Sequence, residues 1–320
     1  MSTPKHEELA LGPGREFDAI RAMLARWRSR DSRLATGIGD DAAVLEIPRG
    51  ERLVASVDTA IEGRHFQIGW LSSREIAYRA VTAALSDLAA MAALPVGVLV
   101  ALALPSHWQT ELDAIADGVA DAAEAARTRI VGGNIAAAGQ LSLTTCVLGS
   151  AFGVLARDGL SVGQTLYVTG RLGAVSAAVR AWKSGQSPAP EHRARFAHPS
   201  ARLREARWLA QHGATAAIDI SDGLVADLEH LAAASDVAIE VDLGSLPVVD
   251  GVSCLDAAGS GEEYELVVGA SEPLGTDEFR QELGLPLTAI GRVAARGASV
   301  VLTRDGARVA KPSGYDHLSA

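Results

Sequence analysis

The chain has 320 residues, 48% of them hydrophobic and 21% charged, a globular balance with room for two domains of ordinary size. Its formal net charge of −10 argues against the basic face of a nucleic-acid binder, but leaves anionic nucleotides open because magnesium bridges acidic groups to phosphates. Cys146 and Cys254 stand far apart without CxxC spacing, which argues against a zinc site or a disulfide framework.

Met1–Glu8 has no apolar signal core, and no uninterrupted apolar run is long enough to span a membrane, so a cytoplasmic location is expected. Gly12-Pro13-Gly14 breaks the chain before a helix expected around Phe17–Trp27. Leu53–Val57 reads as a strand that delivers Asp58 at its end. A long helix follows: Ser72 and Glu75 have capping-box spacing, and apolar residues continue through Ile76, Ala80, Ala84, Leu88 and Met91 until Pro95 stops it. Val96–Leu104 is a buried-strand candidate and Thr110–Arg127 an Ala-rich helix. Ile130-Val131 and Leu141–Leu148 are strands separated by a Gly-rich turn. The polar stretch Phe152–Gly163 marks a domain boundary, dividing the chain into residues 1–151 and 152–320.

In the second half, Thr165–Thr169, Ala216–Ile220, Ala238–Leu243, Glu265–Gly269, Leu287–Val293 and Ser299–Thr303 read as strands, with Asp305-Gly306 as a hairpin turn. Helices are expected over Gly173–Trp182, Ser200–Gln211 and Leu224–Ala234, and Gly185–Pro190 reads as a linker-like loop. Strands and helices mingle without strict βα alternation, so the class is α+β in two domains.

Acidic residues recur in loop motifs along the chain. Gly37-Ile38-Gly39-Asp40-Asp41 and Ser56-Val57-Asp58 combine close-approach backbone with the hard oxygen ligands that magnesium requires, although an Asp-Gly turn is also a common solvated loop. Asp87 interrupts an apolar helix face, or else lies on its exposed side. Val131-Gly132-Gly133-Asn134 reads as a strand ending in a turn able to present N–H groups to phosphate, or as an ordinary strand exit. In Asp219-Ile220-Ser221-Asp222-Gly223 a strand gives way to a helix. Ser221 or Asp222 would cap that helix, and the two carboxylates would hold a metal against an anion bound there. Glu262, Glu263 and Glu265 around Tyr264 suit a cationic substrate, or form a charged loop. Most of these acids lack evident basic partners, and clustered carboxylates repel one another unless cations hold them. No P-loop, protein-kinase signature or GxSxG elbow is present.

The ordered set GIGDDAAVL, SVD, EGRHF, LSDLAAM, VGGN, AIDISDGL, SGEEYEL and GYDH resembles the thiamine-monophosphate kinase family, within the aminoimidazole-ribonucleotide-synthetase-like ATP enzymes, from about Phe17 to the C-terminus. The resemblance implies a two-domain α+β fold whose N-terminal sheet pairs across a homodimer, and transfer of the γ-phosphate of ATP onto thiamine monophosphate with several magnesium ions. No catalytic side chain is implied, since positioning and charge neutralisation suffice. Carried across by motif, Asp41, Ser56, Val57 (through its backbone oxygen), Asp58, Asp87, Asn134, Asp219 and Asp222 would serve the metal ions. Gly133, Asn134, Arg157 and Ser221 would contact ATP, and His65, Glu262 and Tyr315 the thiamine substrate. The chain departs from the family at Asn134, where an Asp is usual, and lacks the Arg that commonly follows. Two alternatives stand beside this reading: a related ATP-dependent enzyme with another acceptor, and a nucleotide-binding protein with weak turnover.

Overall fold

The computed structural model describes residues 22–23, 26–27, 34–36 and 42–312. Asp41 and its glycine-rich neighbours, and Tyr315 with the GYDH segment, lie outside them. The helix expected over Phe17–Trp27 is also mostly outside, although residues 22, 23 and 26 are helical. The chain divides into two compact units, one running to Leu88 and resuming over Leu94–Phe152, the other formed by Ala89–Ala93 and the chain from Gly153.

In the N-terminal unit, β1 (Leu34–Thr36) and β2 (Val44–Leu45) form a two-stranded ladder. A four-stranded sheet has the order β3-β6-β4-β5, built from β3 (Arg52–Ile61), β4 (Leu94–Leu104), β5 (Ile130–Ala137) and β6 (Ser142–Ala151). The β4–β5 pair is parallel and the others are antiparallel. The first long helix, α1 (Ser73–Ala90), starts with the expected reciprocal cap. Glu75 accepts from the Ser72 N–H at 2.8 Å, and the Ser72 hydroxyl oxygen accepts from the Glu75 N–H at 3.3 Å.

Helix α1 meets α2 (Leu112–Ala125) at Gly118 and β6 at Gly149. A Cβ at Gly118 would fall 2.0 Å from the Arg74 carbonyl oxygen, so glycine is required there for the two helices to approach. Leu88, fully buried, reaches the position a Cβ on Gly149 would crowd. Burying such a leucine contributes about 1.5–3 kcal/mol.

Three local expectations change. The strand at 53–57 extends to Ile61, so Asp58 sits inside it rather than at its end. Pro95 does not stop α1; the helix ends at Ala90, Ala92 turns with φ 52°, and Pro95 lies within β4. The expected Gly132-Gly133 turn is strand, because β5 pairs through both glycines to Ala137. A Cβ at Gly133 would lie 2.1 Å from the Val100 carbonyl oxygen, which explains the glycine by close strand approach.

The C-terminal unit is built on a seven-stranded mixed sheet, order β13-β12-β9-β11-β7-β10-β8. Its strands are β7 (Thr165–Thr169), β8 (Ala214–Asp219), β9 (Val237–Asp242), β10 (Leu266–Ala270), β11 (Leu287–Arg296), β12 (Ser299–Arg304) and β13 (Ala307–Val309). Period-2 alternation buries Ile239 and Val241 of β9, while β10 is buried throughout. Helices α3 (Ala174–Lys183), α4 (Pro190–Ala197), α5 (Leu203–Gln211), α6 (Leu224–Ser235), α7 (Cys254–Ala258) and α8 (Thr276–Leu283) complete the unit. Helix α4 replaces the end of the expected linker: Pro190 occupies its first turn, where a missing N–H costs nothing. Asp305 and Gly306, with φ of 52° and 78°, turn β12 into β13 as their sequence demands. Among the described residues no helix is long and apolar enough to cross a membrane.

Candidate functional site

In the N-terminal unit, strand alternation puts Ser56 and Asp58 on one face of β3, with Val57 on the other and 63% exposed. Helix α1 brings Asp87 to this face, where the Ser56 hydroxyl donates to its carboxylate at 2.6 Å. Asp87 is therefore half-buried with a partner, intermediate between the two expectations for it. Asp58 is exposed and accepts from the Thr59 N–H at 2.7 Å.

Across the sheet, Asp58, Thr145, Val100 and Gly133 register in one row. Three strand spacings separate its ends by about 14 Å. Thr145 Oγ1, in the middle of the row, is buried without a hydrogen-bond partner. Asn134 registers in the neighbouring row with Ala101, Thr144 and Thr59, so the pleat turns it to the face opposite Ser56 and Asp58. The structure thus brings Ser56 and Asp87 into contact but does not bring Asn134 to them.

His65 lies in the turn after β3. Its Nδ1 accepts from the Ile61 N–H at 3.0 Å, so the neutral ring carries its proton on Nε2. The same turn borders a cavity of about 430 Å³ lined by Glu62, Gly63, Gln67, His107 and Gln140 among others. Glu62 accepts there from the Trp108 indole at 3.2 Å and the Leu141 N–H at 3.3 Å.

In the C-terminal unit, β8 ends at the buried Asp219, and the chain turns through Gly223 (φ 112°) into α6. The expected cap by Ser221 or Asp222 is absent, because Gly223 is the N-cap and no side chain bonds there. The bonding runs the other way. Asp227, in the first turn of α6, accepts from the N–H groups of Ser221 at 3.1 Å and Asp222 at 3.2 Å. Burial, together with the nearby charges of Asp219 and Asp222, pushes the Asp227 carboxyl up to about 8 against the pull of those two N–H groups. Sequence reasoning missed Asp227. An acid in the first turn of the helix after the motif was the available signal.

The Ser260–Glu265 loop meets this turn directly. The N–H of Glu262 donates to Ser221 O at 2.7 Å, and that of Tyr264 to Ile220 O at 2.9 Å. Glu262 stays half-buried, whereas its acidic neighbours Glu263 and Glu265 are buried. Glu263 is fully buried and caps the start of α3, accepting from Gly173 N–H, Val175 N–H and the Ser260 hydroxyl. Burial raises its carboxyl above the usual range, opposed by those hydrogen bonds and by Arg195. Glu265, 1% exposed, forms ion pairs with Arg195 and Arg202. The expectation that the acidic motifs lack basic partners therefore fails at Glu265, whose partners lie more than sixty residues away. Arg157 is exposed in a short 3₁₀ turn, and its carbonyl accepts from Ser235 at 2.7 Å. Among the described residues no three His, Cys, Asp or Glu side chains form a ready-made metal centre.

These features match known proteins over nearly the whole chain. Residues 39–151 match the AIR synthase related protein N-terminal domain, and residues 161–303 match the corresponding C-terminal domain. The two-domain α+β fold and its motif loops define an AIR-synthase-related protein.

Within that class, thiamine-monophosphate kinase of Salmonella typhimurium is 34% identical over 95% of this chain and 98% of its own length. The Bacillus subtilis kinase is 30% identical over 95% and 99%. The crystal structure of the Stenotrophomonas maltophilia kinase superposes with a TM-score of 0.78 at 32% identity, covering 91% of this chain and 96% of that one. AaThiL complexed with AMPPCP and TMP superposes at 0.74 and 28% identity, covering 94% and 96%. The chain belongs to the thiamine-monophosphate kinase family.

Proposed function

We propose that the protein phosphorylates thiamine monophosphate to thiamine diphosphate, taking the γ-phosphoryl group directly from ATP. The observation that carries this reading is the near-full-length match to kinases of that name, together with a neighbour that binds AMPPCP, an ATP analogue, and TMP. The acceptor is itself a phosphate, largely a dianion near neutral pH. No side-chain base is needed to activate it, which agrees with a motif set rich in acids and loops but without a nucleophile.

Magnesium is part of the proposal. Burial is the main cause of the raised Asp227 carboxyl, and Asp219 and Asp222 add a negative potential that a divalent cation would relieve. In the C-terminal unit Asp219 and Asp222 would hold the ion. In the N-terminal unit the set would be Ser56, Asp58, Asp87, the Val57 carbonyl and Asp41. Asn134 is its weakest member, since it lacks charge and faces away from Ser56. Bound magnesium would supply charge neutralisation on the polyphosphate. The chain's own residues position the reactants: Gly133 keeps backbone accessible on the edge strand β5, Ser221 and Arg157 meet ATP, and His65 offers Nε2–H and Glu262 its carboxylate to the acceptor. Tyr315 would also contact that acceptor.

The N-terminal unit would also form a homodimer, supported by edge strand β3, which exposes Leu53 (57%) and Val57 on one face. A cytoplasmic location, where ATP and magnesium are available, completes the proposal. The test is ADP release by the purified chain with ATP and magnesium, with and without thiamine monophosphate. ADP should appear only with the acceptor, matched by thiamine diphosphate; equal ADP release without it, across a magnesium titration, overturns the proposal.

A further inference from the structure

Glu265 is a buried ion-pairing acid with no part in the proposed chemistry, and its surroundings explain why it is there. Its carboxylate accepts from Arg202 Nε at 2.7 Å and the Thr169 hydroxyl at 2.6 Å, and pairs with Arg195 of α4 as well. Thr169 Oγ1 in turn accepts from the Leu266 N–H at 2.9 Å, and Arg195 donates to Glu263 O at 2.7 Å. Gly170 packs so closely that a Cβ there would lie within 2.2 Å of the carboxylate. The start of β10 is thereby fastened to β7, α4 and the residue preceding α5.

Directly before this anchor the backbone is strained. Glu262 and Tyr264 both adopt left-handed conformations, φ 55° and 52°, which non-glycine residues avoid unless the surroundings impose them. Three backbone bonds impose them from the other side: Glu262 N to Ser221 O, Tyr264 N to Ile220 O, and Ile220 N to Glu265 O at 2.8 Å. The loop is held at both ends, and Glu262 is what it presents. A cavity of about 350 Å³ opens beside the cluster, but Arg171, Arg195 and Arg202 share its lining with Glu191, Asp250 and Glu265, so it shows no excess charge that would select a ligand.

We propose that Glu265 is a positioning residue for the acceptor side of the reaction, setting Glu262 through the clamped loop. The proposal rests on the thiamine-monophosphate kinase reading. Asp227 gives the adjacent Asp219–Gly223 turn a second hold, through the N–H groups of Ser221 and Asp222, so the nucleotide side is expected to follow Glu265 less than the acceptor side does.

The test is steady-state kinetics of Glu265→Gln and Thr169→Val beside the wild type. Thr169→Val removes one hydroxyl from the clamp and leaves the ion pairs in place, so it serves if Glu265→Gln fails to fold. The KM for thiamine monophosphate should rise about tenfold in Glu265→Gln and by a smaller factor in Thr169→Val, with the KM for ATP within about twofold of wild type. Equal changes in both KM values overturn the proposal, and so does a fall in thermal stability with kinetics unchanged. Wild-type turnover is read in the same series. A wild type without product sinks the kinase reading itself, whereas an active wild type with an unmoved KM ratio in the variants sinks only the positioning role.

Discussion

The two units carry their acidic motifs in different ways. In the C-terminal unit Asp219, Asp227, Glu263 and Glu265 are buried, and hydrogen bonds fasten the loops they belong to. In the N-terminal unit Asp58 and Asn134 are exposed on strands, and Asp87 is half-buried with Ser56 as a partner. A buried loop is organised before any ligand arrives, whereas exposed carboxylates keep their freedom until a cation orders them. The C-terminal loops are thus the preorganised part of the proposed site, and the N-terminal acids the adaptable part.

The largest effect that would sharpen this contrast is expected at the preorganised turn. Asp219→Ala should lower turnover about 10²- to 10³-fold, the scale on which a preorganised charge-stabilising group matters. Turnover within a few-fold of wild type, from protein shown to be folded by circular dichroism, would break the contrast.

An intermediate effect is expected on stability. Asp227 carries a carboxyl raised from 3.8 to about 8. Below the lower value folded and unfolded chains both hold the proton; between the two values only the folded chain does. The folded state then binds more protons, so this group's contribution to stability is lost as pH rises through that window. Thermal unfolding without divalent cations should show the fall, and Asp227→Asn should flatten it. An unchanged slope in the variant would mean that the turn is not held by a protonated carboxyl.

The smallest effect belongs to the adaptable side. Because Asn134 faces away from Ser56 and Asp58, Asn134→Asp should shift the magnesium dependence of turnover by less than about threefold. A tenfold gain would show that position 134 reaches a metal despite the pleat.

What could be read from sequence follows the range of the interactions. The Ser72–Glu75 cap, the Asp305-Gly306 hairpin and the alternation of β9 depend on neighbours a few residues apart, and all stand in the structure. The fate of the glycines at 132 and 133 depended on the parallel pairing of β5 with β4, set by residues some thirty positions earlier. Glu262, Glu263 and Glu265 look alike as a string. Their roles separate only through Ser221, through the start of α3, and through Arg195 and Arg202, none of which is local. Helix α4 was missed although Pro190 is a start signal, because the Gly and Ser before it suggested a linker.

The central claim is direct phosphoryl transfer, and its most direct measurement uses ATP labelled in the γ-phosphate, with magnesium and thiamine monophosphate. The label should pass into thiamine diphosphate in step with ADP formation, and none should remain on the protein. Label recovered as inorganic phosphate, or bound to the chain, would contradict the account.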